Sequence, residues 1–477
     1  MIEILTYNDI LEIGENERDR MAFVLDAIDE HKASDLYKTA RDAELYYKHQ
    51  NPTIMNYQKF LYNRMGQKVP DIWSANNKIA SNWYYYFTTQ AVQYLLGNGV
   101  TFKSKKTKEK LGKGFDEKLQ TLATHAKNGG VAFGFWNYDH IEVFPIADSD
   151  EHPGFVPLYD EDDGALKAGI RYWQIDSNKP LRATLYEMDG YTDYVKPKKE
   201  PCRVLNPKRS YIQIVKSSKI DGVEITPGGN YPGFPIVPLR NTGNQSDLVG
   251  NRGTIDAYDL MQSGLINNVS EGEVIYWVLQ NCNGMDDVDD AKFMERLKTT
   301  HVAHADGDEG ANVQAHEVNV PFEATEAALK TLENRLYNDF MAVKVSEIQA
   351  GNVTATQIKS AYEPINQKTD QFEYQVTEFI NGILALAGID DEPTYTRSQM
   401  SNQSEMLEMI LQAAEYLDDE YVTTKVLTLL GDADKASEVL KRKDAEASDR
   451  YKQQEAELEE LRNQQNNEQP EEKPAEE

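Results

Sequence analysis

The sequence is short of the residues on which several classes of protein depend. Only two of its 477 residues are cysteines, Cys202 and Cys282, which lie far apart and predict no disulfide framework. Positive charge is also scarce, because 50 basic residues face 79 acidic ones and leave a formal net charge of −29. A surface of this sign repels polyanions, which argues against a general nucleic-acid binder and against an anionic-membrane binder.

Long hydrophobic runs are missing as well. No apolar stretch approaches the roughly 18 residues of a membrane-spanning helix, so we expect no membrane span. The first residues carry Glu3 and no basic region ahead of an apolar run, a pattern unlike that of a signal peptide.

Motifs of common enzymes are absent from the sequence. It contains no GxxxxGK[ST] phosphate-binding loop and no GxSxG, HExxH or CxxC motif. One metal-ligand cluster stands out but is better interpreted as an exposed polar turn, because it lacks the later ligands of a calcium loop: His301, His304, Asp306, Asp308 and His316. An acidic quartet could hold divalent cations but better suits the first turn of a helix: Asp286, Asp287, Asp289 and Asp290. We therefore predict no enzyme, no metal and no cofactor.

What the sequence does contain indicates an α+β protein. Hydrophobic residues make up 40% of the chain, enough for a core, and the length suggests about three domains. Residues 15–48 and 76–96 have helical periodicity, and Gln90 is the single polar residue on the apolar face of the second of these segments. Between about 130 and 240 the pattern alternates, which predicts antiparallel strands that begin with a hairpin around Asn137 to His140.

Helical patterns return in the second half of the chain. Two helices are predicted at 247–268 and 323–346, and short helices at 400–441. The longest pattern has steps of four and three residues, which places eight side chains on one face: Ile358, Tyr362, Ile365, Thr369, Phe372, Val376, Phe379 and Ile383. Pro364 should kink this helix. Beyond a helix that persists to about Arg462, the acidic C-terminus is expected to be disordered.

A small neutral segment, GNVTATQIKS at 351–360, separates two of these helices. Its first charge is Lys359, in a chain of which 27% is charged. A segment that slides along a charged partner should carry no cluster of the opposite charge, because each such pair adds to a sticky, salt-dependent contact. An ordinary interhelical loop would look similar, so the residues alone leave both interpretations open.

Several stretches in this order resemble the portal, or head-to-tail connector, proteins of tailed double-stranded DNA phages, in the branch typical of siphophages of Gram-positive hosts. NNKIASNWYYYFTTQAVQYLLGNGVTF resembles the early helix and strand of that family. IEVFPIADSDEHPGFVPLYDEDDGALKAGIRYW resembles its wing sheet, and FPIVPLRNTGNQSDLVGNRGTIDAYDLMQSGLINN the lead into its stem helix. The likeness covers roughly residues 40–390.

The resemblance implies a portal fold: an α/β wing, a two-helix stem, a small mixed α/β clip, a long kinked helix and a helical crown. The implied boundaries are wing 1–240, first stem helix 241–269, clip 270–320, second stem helix 321–346, tunnel loop 347–356, long kinked helix 357–395, crown 396–445 and acidic, largely disordered tail 446–477. The tunnel loop would project into the channel with these residues: Gln349, Ala350, Gly351, Asn352, Val353, Thr354, Ala355 and Thr356. The acidic quartet would lie on a docking surface of the clip.

The resemblance also implies a structural role at one vertex of the capsid. The chain would form a ring, usually of twelve subunits, through which double-stranded DNA is packaged and ejected without sequence specificity. Implied partners are the terminase, the scaffold or major capsid protein and a head-completion adaptor; no membrane is involved. The protein would be assembled in the host cytoplasm and end in the virion. The alternative is a non-enzymatic capsid or scaffold-associated protein without a DNA channel.

Overall fold

The computed structural model describes residues 5–62, 66–72, 74–218, 222–271, 276–280, 312–316, 322–349, 354–398, 403–429 and 435–467. The chain divides into two units. The first comprises Met1–Lys344 and Glu363–Ser398, and the second Val345–Tyr362 and Gln399–Glu477. In the first unit a mainly helical stretch is followed by a long run of antiparallel strands, which confirms the predicted α+β class.

The N-terminal part of the first unit is mainly helical. Its elements are α1 Tyr7–Ile13, α2 Glu17–Ala33, α3 Asp35–Tyr47, α4 Pro52–Met55, β1 Phe60–Tyr62, β2 Lys68–Pro70, α5 Trp83–Leu96, β3 Val100–Phe102, α6 Lys105–Lys110 and α7 Phe115–Gly129. Helices α1 and α2 bury their apolar sides against a five-stranded sheet.

The strands that follow form antiparallel sheets, as the alternating pattern predicts. They are β4 Val131–Asn137, β5 His140–Pro145, β6 Gly154–Tyr159, β7 Leu166–Trp173, β8 Leu181–Glu187, β9 Gly190–Lys196, β10 Arg203–Arg209, β11 Ile212–Ser218, β12 Gly222–Gly229 and β13 Ile236–Arg240. The five-stranded sheet has the order β10-β9-β8-β7-β6, and a three-stranded sheet the order β13-β4-β5. Strands β1 and β2, and β11 and β12, form separate two-stranded sheets. The predicted hairpin around Asn137 to His140 joins β4 to β5.

Helices dominate the rest of the chain. The elements are α8 Arg252–Glu271, β14 Tyr276–Gln280, β15 Asn312–His316, α9 Phe322–Asp339, α10 Val345–Gln349, α11 Ala355–Ala387, β16 Pro393–Tyr395, α12 Gln403–Ala413, α13 Asp419–Leu429 and α14 Ala436–Asn467. Strand β14 pairs with β15, and β16 with β3. Helices α8 and α9, which correspond to the two predicted stem helices, pack against each other.

Two predicted helices have different limits in the structure. The helix expected over 15–48 is broken at Ser34, whose hydroxyl donates to the carbonyl of His31 at 2.6 Å and accepts the N–H of Tyr37 at 3.2 Å. One serine thus ends α2 and caps α3. The helix expected over 76–96 begins only at Trp83, because the backbone of the preceding residues is bound to helix α8 instead.

Predicted helix ends in the second half also need correction. Helix α8 begins at Arg252 rather than at 247, and α9 ends at Asp339 rather than at 346. The end of α9 is fixed by Met341, whose φ of 53° lies in the left-handed region that a continuing helix excludes. Helix α14 continues to Asn467, so residues 446–467 are helical and not largely disordered. Residues 468–477 lie outside the described residues.

The periodic stripe on helix α11 is confirmed as a buried face. Seven of its predicted members are buried, and Ile358 is half-buried: Tyr362, Ile365, Thr369, Phe372, Val376, Phe379 and Ile383. Within the first unit this stripe packs with α5, α7 and the sheet β13-β4-β5 in one core. A Cβ on Gly134 of β4 would lie 2.5 Å from the Phe379 ring, so only glycine permits this close approach of helix and strand.

The second unit contains short helices that pack in sequence order. Helix α12 contacts α13, and α13 contacts α14. Lys443 of α14 lies 3.7 Å from the carboxylate of Asp419 and donates to the hydroxyl of Thr423 at 3.3 Å. These contacts place the first part of α14 against α13, although its later exposed residues, such as Leu458, have no such cover.

Candidate functional site

The segment predicted to face a channel, Gln349 to Thr356, is bounded by helices on both sides. Helix α10 ends at Gln349 and α11 begins at Ala355, so three of the eight predicted loop residues are helical. Residues 350–353 lie outside the described residues, and the role of the segment stays a prediction.

Thr354 defines where the segment stops. The Gln357 side-chain oxygen accepts the N–H of Thr354 at 3.0 Å, and the Thr354 hydroxyl accepts the N–H of Gln357 at 3.4 Å. This reciprocal arrangement is a capping box, which satisfies two backbone donors at the start of a helix. Loss of such a cap costs about 0.5–2 kcal/mol. Thr354 is therefore the N-cap residue of α11 and cannot be exchanged freely like an ordinary loop residue.

Gln90, the polar exception on the apolar face of α5, makes two hydrogen bonds to the backbone just after α9. Its Nε2 donates to the carbonyl of Val343 at 2.9 Å, and its Oε1 accepts the N–H of Val343 at 3.0 Å. The side-chain amide thus supplies both partners that a neighbouring strand would offer. A polar residue at this position holds the chain at the exit of the predicted second stem helix, close in sequence to the predicted loop.

An aromatic cluster joins α5 to the two predicted stem helices. Phe87 stacks on Phe340 with ring centroids 4.6 Å apart and on Trp83 at 5.5 Å. Trp83 meets Tyr258 of α8 at 5.6 Å and Tyr337 of α9 at 5.7 Å, edge to face in both cases. Each such pair contributes about 0.5–1.5 kcal/mol beyond the area it buries. The cluster fixes one end of the α8–α9 pair to helix α5.

A group of buried charges, which we name the charge hub, lies beside this cluster. Asp247 is 2.8 Å from the Nζ of Lys368 on α11 and 3.7 Å from the Nζ of Lys127 on α7. The side-chain amide of Asn241 donates to Asp247 at 2.7 Å, and its oxygen accepts from Lys127 at 3.1 Å. Lys127 also lies 4.0 Å from the centroid of the Phe372 ring. The hub therefore connects α7, α11 and the turn that leads into α8.

Burial and charge act in opposite directions on the pKa values of the hub. Burial lowers the pKa of Lys127 to about 8, and the attraction of Asp247 offsets only part of that effect. Burial pushes the pKa of Asp247 upward, but Lys127 and Lys368 outweigh it and hold that pKa well below its ordinary value. At neutral pH the hub is thus a buried carboxylate between two ammonium groups, a set that is stable only while complete.

A polar ladder on α8 binds the extended segment ahead of α5. Three buried side chains, one every four residues along the helix, accept backbone N–H groups of alternate residues in that segment. The pairs are Asp259 with Ser81 at 3.1 Å, Ser263 with Ile79 at 3.0 Å and Asn267 with Asn77 at 2.7 Å. Burial raises the pKa of Asp259, which also accepts from the Asn51 amide at 2.8 Å.

Sequence reasoning missed this ladder although a signal was present. The residues Asp259, Ser263 and Asn267 recur every four positions beside the apolar stripe of the same helix. A strip of short polar side chains next to an apolar one is easily mistaken for a solvated face. Their acceptor chemistry and spacing could have indicated a helix that binds a backbone.

The remaining predicted sites cannot be placed with their neighbours. The acidic quartet Asp286, Asp287, Asp289 and Asp290, and the cluster His301, His304, Asp306 and Asp308, lie outside the described residues. His316 ends strand β15. Pro364 is an exposed residue inside helix α11, and the kink expected there stays a prediction.

The described residues contain neither a candidate metal cluster nor a candidate membrane span. Over those ranges no three His, Cys, Asp or Glu side chains come together as a metal site. No helix in the described part of the chain combines the length and apolar character that crossing a membrane requires.

Comparison with known proteins gives consistent relatives. A family model described as phage portal protein, SPP1 Gp6-like, matches residues 26–470. The portal protein of Clostridium phage phiCD119 is 26% identical over 363 residues, covering 70% of this chain and 77% of that protein. The portal protein of Bacillus phage SPP1 is 25% identical over 435 residues, covering 81% of this chain and 78% of its own length.

Two solved assemblies show a weaker likeness. The neck of a native gene transfer agent particle, computed with C12 symmetry, contains a chain 9% identical with a TM-score of 0.35, covering 73% of this chain and 90% of that chain. The virion of a native gene transfer agent contains one 10% identical with a TM-score of 0.40, covering 73% and 89%.

Proposed function

From the premise that the chain belongs to the SPP1 Gp6-like family of phage portal proteins, we propose that it forms a ring-shaped channel for double-stranded DNA at one capsid vertex. The match over residues 26–470 carries the proposal, because it spans nearly the whole chain. It also confirms the family predicted from the sequence. A phage structural protein of this family is a component of the virion, and the proposal gives it no catalytic step.

The net charge suits this function. A chain of −29 gives a ring of like subunits a strongly negative wall, and such a wall repels a polyanion instead of trapping it. An acidic protein can therefore handle DNA provided that the duplex moves through it and is not held. Proposed partners are the terminase, a head-completion adaptor and the capsid or scaffold protein, with assembly in the host cytoplasm.

The proposal also assigns parts of the channel to parts of the chain. We assign α8 and α9 to the stem, residues 270–320 to the clip, 347–356 to the tunnel loop and 396–445 to the crown. The acidic quartet at 286–290 would belong to a docking surface of the clip. Two observations support a segment held near both ends: Gln90 binds Val343 before it, and Thr354 near its C-terminal end caps α11.

Electron microscopy of the purified protein tests the ring. Rings with a central hole are the expected result. Particles that remain monomeric at every concentration and in the presence of capsid protein would contradict the proposal.

A charge substitution tests the tunnel loop separately. Replacing Asn352 and Thr356 by lysine adds two cations per subunit next to the passing duplex, so DNA should be held and packaging should slow or stall. Thr354 is left unchanged because it caps α11. The matched control replaces the same two residues by serine. Ring yield should be equal for both variants, and normal packaging by the lysine variant would show that the loop does not face DNA.

A further inference from the structure

The hairpin formed by β1 and β2 is apolar and uncovered on both faces. The exposed fractions of Phe60, Leu61 and Tyr62 are 43%, 44% and 75%, and Ile72 just after β2 is 78% exposed. Successive strand residues point to opposite faces, so exposure of three in a row means that neither face is packed. A two-stranded hairpin in water is only marginally stable without cover. The hairpin therefore has the properties of a segment that is buried in an assembly.

The hairpin is also basic in an acidic chain. No acidic residue occurs between Glu44 and Asp71, whereas Lys59 and Lys68 lie within or next to the two strands. The Nζ of Lys68 lies 4.0 Å from the centroid of the Phe60 ring, so positive charge and apolar surface are presented together. A partner surface for this hairpin should combine an apolar floor with carboxylates.

Such a surface exists on the outer side of α2. A groove of about 410 Å³ has Leu5 and Phe23 among its apolar lining residues. Its lining also includes Asp19, Asp26, Asp29 and Glu30 but no basic residue. The acidic side chains leave this groove with the charge that Lys68 would complement.

A second, more apolar cavity of about 440 Å³ adjoins the groove and shares Leu5 and Glu30 with it. Oε2 of Glu30 is buried and has no hydrogen-bond partner within the described ranges. A buried carboxylate oxygen without a donor is costly, so a cation supplied from outside would stabilise it. Glu30 marks the point at which a lysine from another molecule would fit.

We propose that the β1–β2 hairpin of one subunit docks in the α2 groove of the next subunit. The two surfaces differ from each other and complement each other, apolar against apolar and basic against acidic. Contacts of this heterologous type propagate in one direction and form a ring where the rotation between neighbouring subunits closes. The proposal rests on the ring of the proposed function and identifies the surfaces that would hold adjacent subunits together.

DNA is the competing occupant of a basic aromatic hairpin, and two observations argue against it. The Nζ of Lys59 already donates to the carbonyl of Ala75 at 2.7 Å. Leu61 and Ile72 are aliphatic, and a phosphate backbone would leave them in water. A protein surface buries them.

Removing the apolar part of the hairpin gives the first test. In the Leu61→Ser, Tyr62→Ser double variant, light scattering should find monomers at concentrations at which the wild type forms rings. Circular dichroism of those monomers should be that of the wild-type fold, because both side chains are already exposed. The matched control is Tyr416→Ser, which removes a tyrosine that is 86% exposed in the second unit and should leave rings intact.

Directed cross-linking gives the second test, in a chain whose Cys202 and Cys282 are replaced by serine and which still forms rings. A mixture of Leu61→Cys and Ala22→Cys subunits should give disulfide-linked pairs under oxidation. A chain that carries both cysteines should give a ladder of covalent oligomers. Leu61→Cys or Ala22→Cys alone should give none.

The outcomes separate this inference from the proposed function. Intact rings from the serine double variant, cross-linking by Leu61→Cys alone, or normal rings that have lost DNA binding would each overturn the inference and leave the ring standing. A wild-type protein that never forms rings would overturn both.

Discussion

Two regions hold the long helix α11 in the first unit, and they do so by different physics. Near Phe379 the helix lies against strand β4 through shape alone, with Gly134 as the point of closest approach. About three turns earlier, Lys368 reaches the buried carboxylate of Asp247 in the charge hub. A contact made of shape is indifferent to pH and salt, whereas a contact made of buried charges depends on the protonation of each member. The packing of α11 near Phe379 therefore does not depend on pH, whereas its contact at Lys368 does.

The largest loss of stability is expected at the packing contact between α11 and β4. Phe379→Ala should lower the free energy of unfolding by about 3–5 kcal/mol, because it removes a fully buried ring and leaves a cavity. Urea unfolding at pH 6 and pH 9 should give the same loss. A loss that changed between the two pH values would contradict the distinction between the regions. Tyr374→Ala, on an exposed face of the same helix, is the control and should change stability by no more than about 0.5 kcal/mol.

Breaking the charge hub should lower the free energy of unfolding by a similar amount, but this loss should depend on pH. Asp247→Asn leaves two buried ammonium groups without their carboxylate, which should cost about 3–5 kcal/mol at pH 6. The cost should be smaller at pH 9, because Lys127 can then lose its proton. Equal losses at both pH values would show that the hub is held by packing and not by charge.

Lys127 gives the direction of the pH effect in the wild type. Its pKa is about 8 in the folded chain and 10.5 at its ordinary value, so between these the unfolded chain binds the extra proton. Stability from this group therefore rises with pH across that window, by at most about 1.4 kcal/mol per pH unit. The difference in unfolding free energy between wild type and Lys127→Met should grow from pH 8 to pH 10. A constant difference would contradict the lowered pKa.

A smaller effect is expected from the glycine at the shape contact. Gly134→Ala places a methyl group 2.5 Å from the Phe379 ring and should cost about 1–3 kcal/mol of stability. Gly264→Ala in α8, where an added Cβ meets nothing within 4 Å, should be neutral or stabilising. Thermal unfolding of the two variants compares them directly, and equal melting temperatures would remove the close approach as an explanation.

The sequence predicted the shape region well and the charge region poorly. The stripe from Tyr362 to Ile383 was predicted because apolar residues at helical spacing have one stable outcome, which is burial on a single face. Lys127 and Lys368 lie about 240 residues apart with Asp247 between them, and no local pattern signals that three charges meet. The periodicity of apolar residues in a sequence does not reveal polar contacts between residues that lie far apart in the chain.

The predicted site followed the same division. The start of α11 within the channel segment was not predicted, although Thr354 and Gln357 form a capping box whose T-x-x-Q pattern is present in the sequence. Gln90 was noticed as an exception, yet its partner is a backbone 253 residues away. The start of helix α5 was likewise set by contacts from a distant part of the chain.

In the polar ladder on α8, the spacing of the side chains on the helix differs slightly from the spacing of the backbone groups that they bind. Four residues of helix advance about 6.0 Å, whereas two residues of extended chain advance about 6.6 Å, so each rung adds a mismatch of about 0.6 Å. Three rungs accumulate about 1.2 Å, which small tilts of side chains can absorb, but a fourth would exceed the tolerance of hydrogen-bond length. The ladder is therefore self-limiting. A slip by one rung would displace the segment ahead of α5 by more than 6 Å, so the three hydrogen bonds together fix the position of that segment along α8.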